Sequence, residues 1–494
     1  MTFSQLVAPH GARLFEQDPP ILGISPDPTR CRDGFLYVCI TGFHRDGHEA
    51  IESALGSGAV ACLVAEDHPD TIALLEHRRI PYLALSDTRK GEAIVTSRFF
   101  GDPWKDLHIT AVTGTNGKTT VVSMLHAIYT MAGYQTAMIG TLTGKLTTPD
   151  PSELYPLLAK LQDEGVTHVF MEASSHALAL GKLAPIGFDA VIFTNLTPEH
   201  LDFHGSMEHY ASSKALALRQ ARRVILNADD AYASFMASHA IGQIFTCSAN
   251  GKSADFEAIH PMFNGCYGSS YDLLTTDLLF RITTPIPGAF TVMNTMEAAA
   301  AALTDGIPKD IIRGAIGGFQ GVKGRLERIP LPTSDYAVYI DFAHTPDALE
   351  NILRTARGFM TDKQRLVLLF GCGGDRDRSK RPVMGHIASQ LADFVIVTAD
   401  NSRSERTADI MAAIVSGFDG NASHTVIESR REAILYAITS ALPGDVILLC
   451  GKGHEEYEIM GADTRPFSER EIVSEAFAER QRRKNDSDTT ETRL

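Results

Sequence analysis

Val112-Thr113-Gly114-Thr115-Asn116-Gly117-Lys118-Thr119-Thr120 joins an apolar, strand-like run (His108 to Val112) to an amphipathic helical pattern. No other segment constrains the fold as much. Gly114 and Gly117 allow turn geometry without a Cβ penalty, so successive N–H groups and the helix N-terminus can point at phosphate oxygens. Lys118 would then reach the terminal phosphates, and the Thr119 hydroxyl would ligate Mg²⁺. The spacing Gly-x-x-Gly-Lys-Thr is two residues shorter than the usual Walker A loop, which marks a nucleotide site of a particular kind. Val121, Leu125, Ile128 and Met131 share one helical face until Gly133 stops the helix.

At 494 residues the chain is too long for one core, and three domains are expected. Its seven cysteines (Cys31, Cys39, Cys62, Cys247, Cys266, Cys372, Cys450) are scattered, odd in number and without C-x-x-C spacing. They read as reduced core thiols. No apolar run approaches the roughly 18 residues needed to cross a bilayer, and Met1 to Gln17 lacks a basic region followed by an apolar core. A cytoplasmic protein without membrane contact is expected. The net charge of −15 argues against nucleic-acid binding, where a basic patch supplies most of the affinity. Phosphorylated ligands would have to be held by local Arg, Lys and backbone N–H groups.

Residues 1–103 alternate short β-branched runs (Phe35 to Ile40, Ala59 to Ala65, Tyr82 to Leu85) with helical stretches and close at Gly101-Asp102-Pro103. From 104 to 328 strand-like runs alternate with helices: Ile109 to Val112, Gln135 to Ile139, Val166 to Met171, Ala190 to Phe193 and Val224 to Leu226. This is the pattern of a parallel sheet wrapped by helices. From 329 to 494 strands at Leu366 to Phe370, Phe394 to Thr398, Thr425 to Ile427 and Val446 to Cys450 alternate with helices, a second doubly wound unit. The polar tail 481–494 is expected to be disordered. The fold class is therefore α/β in three domains: a central P-loop-type domain with a mostly parallel sheet, and a C-terminal Rossmann-like doubly wound domain.

Three segments of the last domain follow strand ends: Gly371 to Arg376, Asp400-Asn401-Ser402-Arg403, and Gly451-Lys452-Gly453-His454-Glu455. Ligands of open α/β sheets bind at that edge. Each segment alone is ordinary loop composition. Together their acids, guanidinium groups and glycine backbone favour a zwitterionic amino acid. In the central domain Glu172 ends a strand at the mouth occupied by Thr119, a good Mg²⁺ ligand. By spacing alone His200 is a loop histidine or a ligand, and Lys214 a solvated lysine.

Thr113 to Thr120, Glu172-Ala173-Ser174-Ser175-His176, Asn195 to His204, Gly324-Arg325-Leu326-Glu327, Asp341 to Asp347, Gly371 to Asp377 with Lys380-Arg381-Pro382, and Gly451 to Glu455 together resemble the Mur ligases. Within them the similarity is to the MurE type, which adds the third residue of the peptidoglycan stem peptide. The resemblance covers nearly the whole chain in order. It implies ATP, UDP-N-acetylmuramoyl-L-alanyl-D-glutamate and an amino acid as substrates, with Mg²⁺ as cofactor and a monomeric enzyme. It also implies the chemistry: ATP phosphorylates the D-glutamate side-chain carboxylate, and the amine of the amino acid attacks the acyl phosphate.

By that resemblance Lys118, Glu172, His200 and Lys214 are catalytic. Gly114, Thr115, Asn116, Gly117, Lys118, Thr119, Thr120, Asn294, Arg325, Asp341 and His344 bind ATP. Thr119, Glu172, His200 and Lys214 belong to the Mg²⁺ sites, Lys214 as a carbamate formed with CO₂. Asp27, Thr147, Thr148, Ser174 and Lys182 bind the UDP-sugar peptide, with departures: Asp27-Pro28-Thr29 stands for the family's Asp-Ser-Arg, Lys182 for an Arg, and Leu180 for a Gln. Arg and Lys are not interchangeable at bidentate sites. Arg376, Asp400, Asn401, Ser402, Arg403, Gly451 and Glu455 bind the amino acid. The family signature for meso-2,6-diaminopimelate is Asp-Asn-Pro-Arg, and this chain keeps Arg403 but has Ser402 in place of Pro. A guanidinium is the natural bidentate partner of the second carboxylate, so meso-diaminopimelate is expected, with L-lysine or another amino acid behind it. A folylpolyglutamate synthetase-like ligase and a non-catalytic nucleotide-binding module are the rival readings.

Overall fold

The structure, a computed structural model, describes residues 1–491 except Pro9, Phe43, His44, Lys145, Thr333, Asn421 and Ala462, and does not describe the side chains of 484–491. Met1–Ile259, Leu273–Phe280 and Met293–Ala315 form one compact unit; His260–Asp272, Arg281–Val292 and the described residues from Ile316 onward form another. Three parallel-dominated sheets carry the three-domain α/β architecture.

The first sheet is β1 (Gly23–Ser25), β2 (Phe35–Val38), β3 (Ala59–Ala65) and β4 (Tyr82–Leu85), parallel and in chain order. The central sheet begins with β5 (His108–Thr113), β6 (Thr136–Ile139), β7 (His168–Glu172), β8 (Phe188–Phe193), β9 (Ala221–Asn227) and β10 (Gln243–Ser248). Its spatial order is β10-β9-β8-β5-β7-β6, every pair parallel. The chain leaves β5 toward one edge and β8 toward the other. The switch point therefore lies at the carboxyl ends of β5 and β8, where open α/β sheets bind ligands. β11 (Phe256–Phe263) adds to β10, and β12 (Ser269–Leu274) and β13 (Leu279–Thr284) follow in the chain.

The helix Lys118–Met131 buries Val121, Leu125 and Ile128, as its periodicity predicts, while Met131 is exposed in the last turn. Gly133 takes a positive φ after that turn, the conformation that ends helices.

The third sheet runs β14-β15-β19-β16-β17-β18, from β14 (Glu327–Ile329), β15 (Ala337–Asp341), β16 (Leu366–Phe370), β17 (Phe394–Val397), β18 (His424–Val426) and β19 (Val446–Cys450). Only the β14 to β15 pair is antiparallel. Alternate residues of β16 feed two cores: Leu366, Leu368 and Phe370 pack with Leu353 and Met384, and Val367 and Leu369 with Ile434 and Val473. Burial on both faces is why these strands read as continuous apolar runs.

One expectation is corrected. The helix Glu469–Glu491 runs through most of the tail read as disordered, and 492–494 lie outside the described residues. Ile472, Val473 and Ala476 anchor its first half in the core. A helix nucleated by tertiary burial propagates through Arg480 to Arg483, good helix formers, and its last turns, Asn485 to Thr490, are of poor helix propensity. All seven cysteines are free, and all but Cys266 are buried. Among the described residues no helix is long and apolar enough to cross a membrane.

Candidate active site

The switch point of the central sheet builds the nucleotide loop. Gly114 (φ 149°) and Gly117 (φ 90°) adopt backbone that L side chains disfavour. A Cβ on Gly114 would lie 1.9 Å from Thr194 Oγ1, and one on Gly117 2.7 Å from Asn294 Oδ1. The loop after β8 clamps it: Thr115 N–H donates to Asn195 O (2.9 Å), Asn116 N–H to Asn195 Oδ1 (2.9 Å), and Asn195 Nδ2 to Asn116 O (3.1 Å). From sequence Asn195 stands only as the first residue of the run Asn195 to His204, with no role assigned, and Thr194 is not noted, since a loop asparagine carries no periodic signal.

Lys118 Nζ donates to Gly114 O (2.9 Å) and Thr115 O (2.8 Å), so its ammonium sits over the loop that would hold phosphate. Thr119 Oγ1 donates to Glu172 Oε1 at 3.1 Å. Glu172 is 2% exposed and also accepts from Thr141 N (2.9 Å) and Thr141 Oγ1 (3.3 Å). A buried carboxylate beside a threonine hydroxyl is a hard oxygen pair suited to Mg²⁺. Thr120 follows Thr119 in the first turn of the same helix.

Lys214 is 1% exposed, donates to Gly114 O at 2.8 Å and lies 4.6 Å from the Tyr210 ring centroid. Burial, reinforced by the Lys118 charge and opposed by Glu199, holds its pKa well below the usual lysine range. That overturns the solvated-lysine alternative: the helix Met207–Leu218 turns Lys214 inward. His200 takes a left-handed φ of 56° and its Nε2 lies 3.7 Å from Glu199 Oε2. Its ring meets His176 edge-on at 4.8 Å. Burial and then the His200 charge lower the His176 pKa. His204 is pushed down to about 4, first by burial and then by His176 and Lys214, and its Nε2 lies 2.9 Å from Ser175 Oγ.

The UDP-sugar candidates fall in two places. Thr148 Oγ1 donates to Glu172 O (2.7 Å) and accepts from Ser174 N–H (3.0 Å), and Thr147 Oγ1 lies 3.3 Å from Thr141 Oγ1. These threonines thus adjoin the Glu172 cluster. Lys182 pairs with Asp150 at 2.6 Å. Asp27 is occupied by its own turn, accepting from Thr29 N (2.9 Å) and Thr29 Oγ1 (2.7 Å). The Pro28-Thr29 departure therefore makes a self-capped turn.

In the second unit a cavity of about 550 Å³ opens at the carboxyl ends of β15, β16, β17 and β19. Arg376, Asp400, Asn401, Arg403, Gly451, Glu455 and His344 line it. Ser402 does not: it is 3% exposed and its hydroxyl lies 2.7 Å from Thr407 Oγ1. Arg403, at φ 50°, donates to Gly374 O (2.8 Å). A Cβ on Gly451 would lie 2.9 Å from Asp400 Oδ2, so only glycine fits against that carboxylate. Asp341 is buried, accepting from Leu326 N (2.7 Å) and Ala343 N (2.8 Å), and burial raises its pKa. Arg325 lies over the Phe342 ring, 5.4 Å from its centroid.

Asp46, His48 and His68 group their ligand-type atoms in the N-terminal domain. His48 Nε2 accepts the Ala65 N–H (2.9 Å), which leaves the ring proton on Nδ1, 2.6 Å from Asp46. His68 lies between Asp46 (2.9 Å) and Asp67 (2.8 Å), and its Asp46 hydrogen bond raises its pKa. These hydrogen bonds account for the orientation of both rings.

The family profile described as the Mur ligase middle domain matches residues 112–302, and that described as the Mur ligase, glutamate ligase domain, matches 324–453. A protein of Synechococcus elongatus named UDP-N-acetylmuramoyl-L-alanyl-D-glutamate--2,6-diaminopimelate ligase is 40% identical, with 97% of this chain and 98% of that protein covered. One of the same name from Caldanaerobacter subterraneus is 38% identical, covering 93% of this chain and 95% of that one. The chain belongs to the Mur ligases. It is thus an ATP-dependent acid–amino-acid ligase that forms ADP. A solved structure titled as a UDP-N-acetylmuramoyl-L-alanyl-D-glutamate--2,6-diaminopimelate ligase superposes on this Mur ligase with a TM-score of 0.69 at 29% identity, covering 94% of this chain and 96% of that one.

Proposed function

We propose that this Mur ligase joins meso-diaminopimelate to the D-glutamate of UDP-N-acetylmuramoyl-L-alanyl-D-glutamate, as the names of its relatives say of them. The observation that carries the amino-acid choice is the second unit's cavity, whose wall combines Arg376 and Arg403 with Asp400 and Glu455. Two guanidinium groups suit a substrate with two carboxylates, and two acids suit its ammonium groups.

The γ-phosphoryl group passes to the D-glutamate carboxylate oxygen, releasing ADP. The amine then attacks the acyl-phosphate carbon, phosphate leaves with the C–O electron pair, and the nitrogen loses a proton as the amide forms. The protein has little covalent work in such a transfer, so positioning and charge neutralisation dominate. Gly114 to Thr120 and Asn294 cradle the phosphates, and Lys118 neutralises their charge. Thr119, Glu172 and His200 would hold Mg²⁺, which supplies charge neutralisation at the transferred group. Lys214, whose burial favours the uncharged amine, can add CO₂ as a free amine and present a carboxylate. Thr147, Thr148, Ser174, Lys182 and Asp27 are assigned to the UDP-linked substrate. The assignment of Arg325, Asp341 and His344 to ATP is supported by the family resemblance. Domain boundaries near 103 and 328 complete the reading.

The test is ADP release measured with ATP, the UDP-linked dipeptide and a panel of amino acids. Turnover that needs both the dipeptide and meso-diaminopimelate is expected. Turnover with a folate and glutamate instead would overturn the reading.

A further inference from the structure

The cavity wall rests on a charge that this chemistry does not use. Lys452 is fully buried between two glycines of positive φ, Gly451 (115°) and Gly453 (56°). Its ammonium donates to Asn401 Oδ1 (3.0 Å) and Tyr457 O (2.9 Å), lies 3.7 Å from Asp400 Oδ1, and stands 5.4 Å from the Phe467 ring centroid. Asn401 Oδ1 also accepts the Ile459 N–H at 2.9 Å. Two donors on one oxygen fix the amide's orientation, because the reversed amide would set its NH₂ against both. Asn401 Nδ2 must then face the other way, and it donates to Glu455 Oε2 at 2.9 Å. Nearby, buried Arg430, paired with Glu469 (2.7 Å), donates to Ala399 O (3.1 Å) and Cys450 O (2.8 Å), tying the segment after β17 to the end of β19.

We infer that Lys452 is a positioning residue that aims the Glu455 carboxylate at the ammonium of the incoming amino acid, acting through Asn401. A buried ammonium is a costly way to fill space, and an apolar side chain of similar volume is often as stabilising. What it supplies is one orientation of Asn401, and hence one placement of Glu455. This rests on the assignment of Glu455 to the amino-acid site.

A double-mutant cycle on the full chain tests it. Lys452→Met should raise KM for meso-diaminopimelate tenfold or more, with KM for ATP and for the UDP-linked dipeptide changed less than twofold. In a Glu455→Gln background the same substitution should change KM for meso-diaminopimelate less than twofold. Equal effects in both backgrounds, or a rise shared by all three substrates, would show a structural role only and overturn the inference. If the Met variant does not fold, Lys452→Gln carries the same cycle. Failure of the underlying assignment looks different: Glu455→Gln alone would then leave KM for meso-diaminopimelate unchanged.

Discussion

Lys118 lies folded over its own loop, bonded to Gly114 O and Thr115 O. Lys118→Ala removes the bonds to Gly114 O and Thr115 O and no core packing, so stability should change little while ADP formation falls about a hundredfold or more, the scale seen when one preorganised electrostatic group is lost. A folded variant with near parental turnover would refute its role. Lys214 presents the opposite case. Burial and then the Lys118 charge lower its pKa, which favours the uncharged amine that adds CO₂. Lys214→Ala should lose activity, and short-chain carboxylic acids should restore part of it by occupying the carbamate's place. Carbon-13 NMR with labelled CO₂ should show a carbamate that disappears as falling pH protonates the amine. The two lysines also show what a sequence conveys. Lys118 declares itself through its glycines, whereas nothing local to Lys214 predicts burial, and resemblance alone pointed to it. Asn195 and Lys452 stand in sequence motifs without a role for the same reason: their partners lie 79 and 51 positions away.

At the scale of elements, the doubly buried strands were legible because burial on both faces leaves an unbroken apolar run. β14 and β15 were not: they are three and five residues long and flank a segment that opens Pro330-Leu331-Pro332, which reads as a loop. The Asp400–Arg403 loop was legible as a candidate, and Asp400, Asn401 and Arg403 line the cavity, but not the direction of Ser402, whose hydroxyl turns to Thr407. The helix Thr88–Phe99 carries a testable consequence. Glu92 is 7% exposed and its Oε1 has no hydrogen-bond partner. Burial, reinforced by Asp150 and opposed by Lys182 and Arg89, raises its pKa from 4.5 to about 7. A raised carboxyl pKa stabilises the fold fully below the unfolded value, and that contribution is lost as pH rises through the folded value. Glu92→Gln should therefore match the parent near pH 4 and exceed it at pH 8 in unfolding free energy by up to roughly 3 kcal/mol, at about 1.4 kcal/mol per pH unit, with a higher Tm. Equal thermal stabilities at pH 8 would show that Glu92 ionises freely in the folded protein.

For the whole molecule the decisive property is which amino acid it accepts, and that choice falls on Arg403. The side chain lines the cavity and already gives one donor to Gly374 O, but a guanidinium carries five, enough to bind a carboxylate as well. Meso-diaminopimelate has a distal carboxylate and L-lysine has none. Removing one partner of a desolvated charge pair costs about 3–5 kcal/mol. Arg403→Ala should therefore lower kcat/KM for meso-diaminopimelate on the order of a hundredfold or more, at about 1.4 kcal/mol per decade. L-Lysine should be a poor substrate for the parent and lose far less on mutation, because it never engages the guanidinium. The comparison of both substrates on both proteins separates specificity from general damage, which would lower the two together. Efficient use of L-lysine by the unmutated enzyme, with meso-diaminopimelate ignored, would overturn the choice of amino acid and leave the Mur ligase intact.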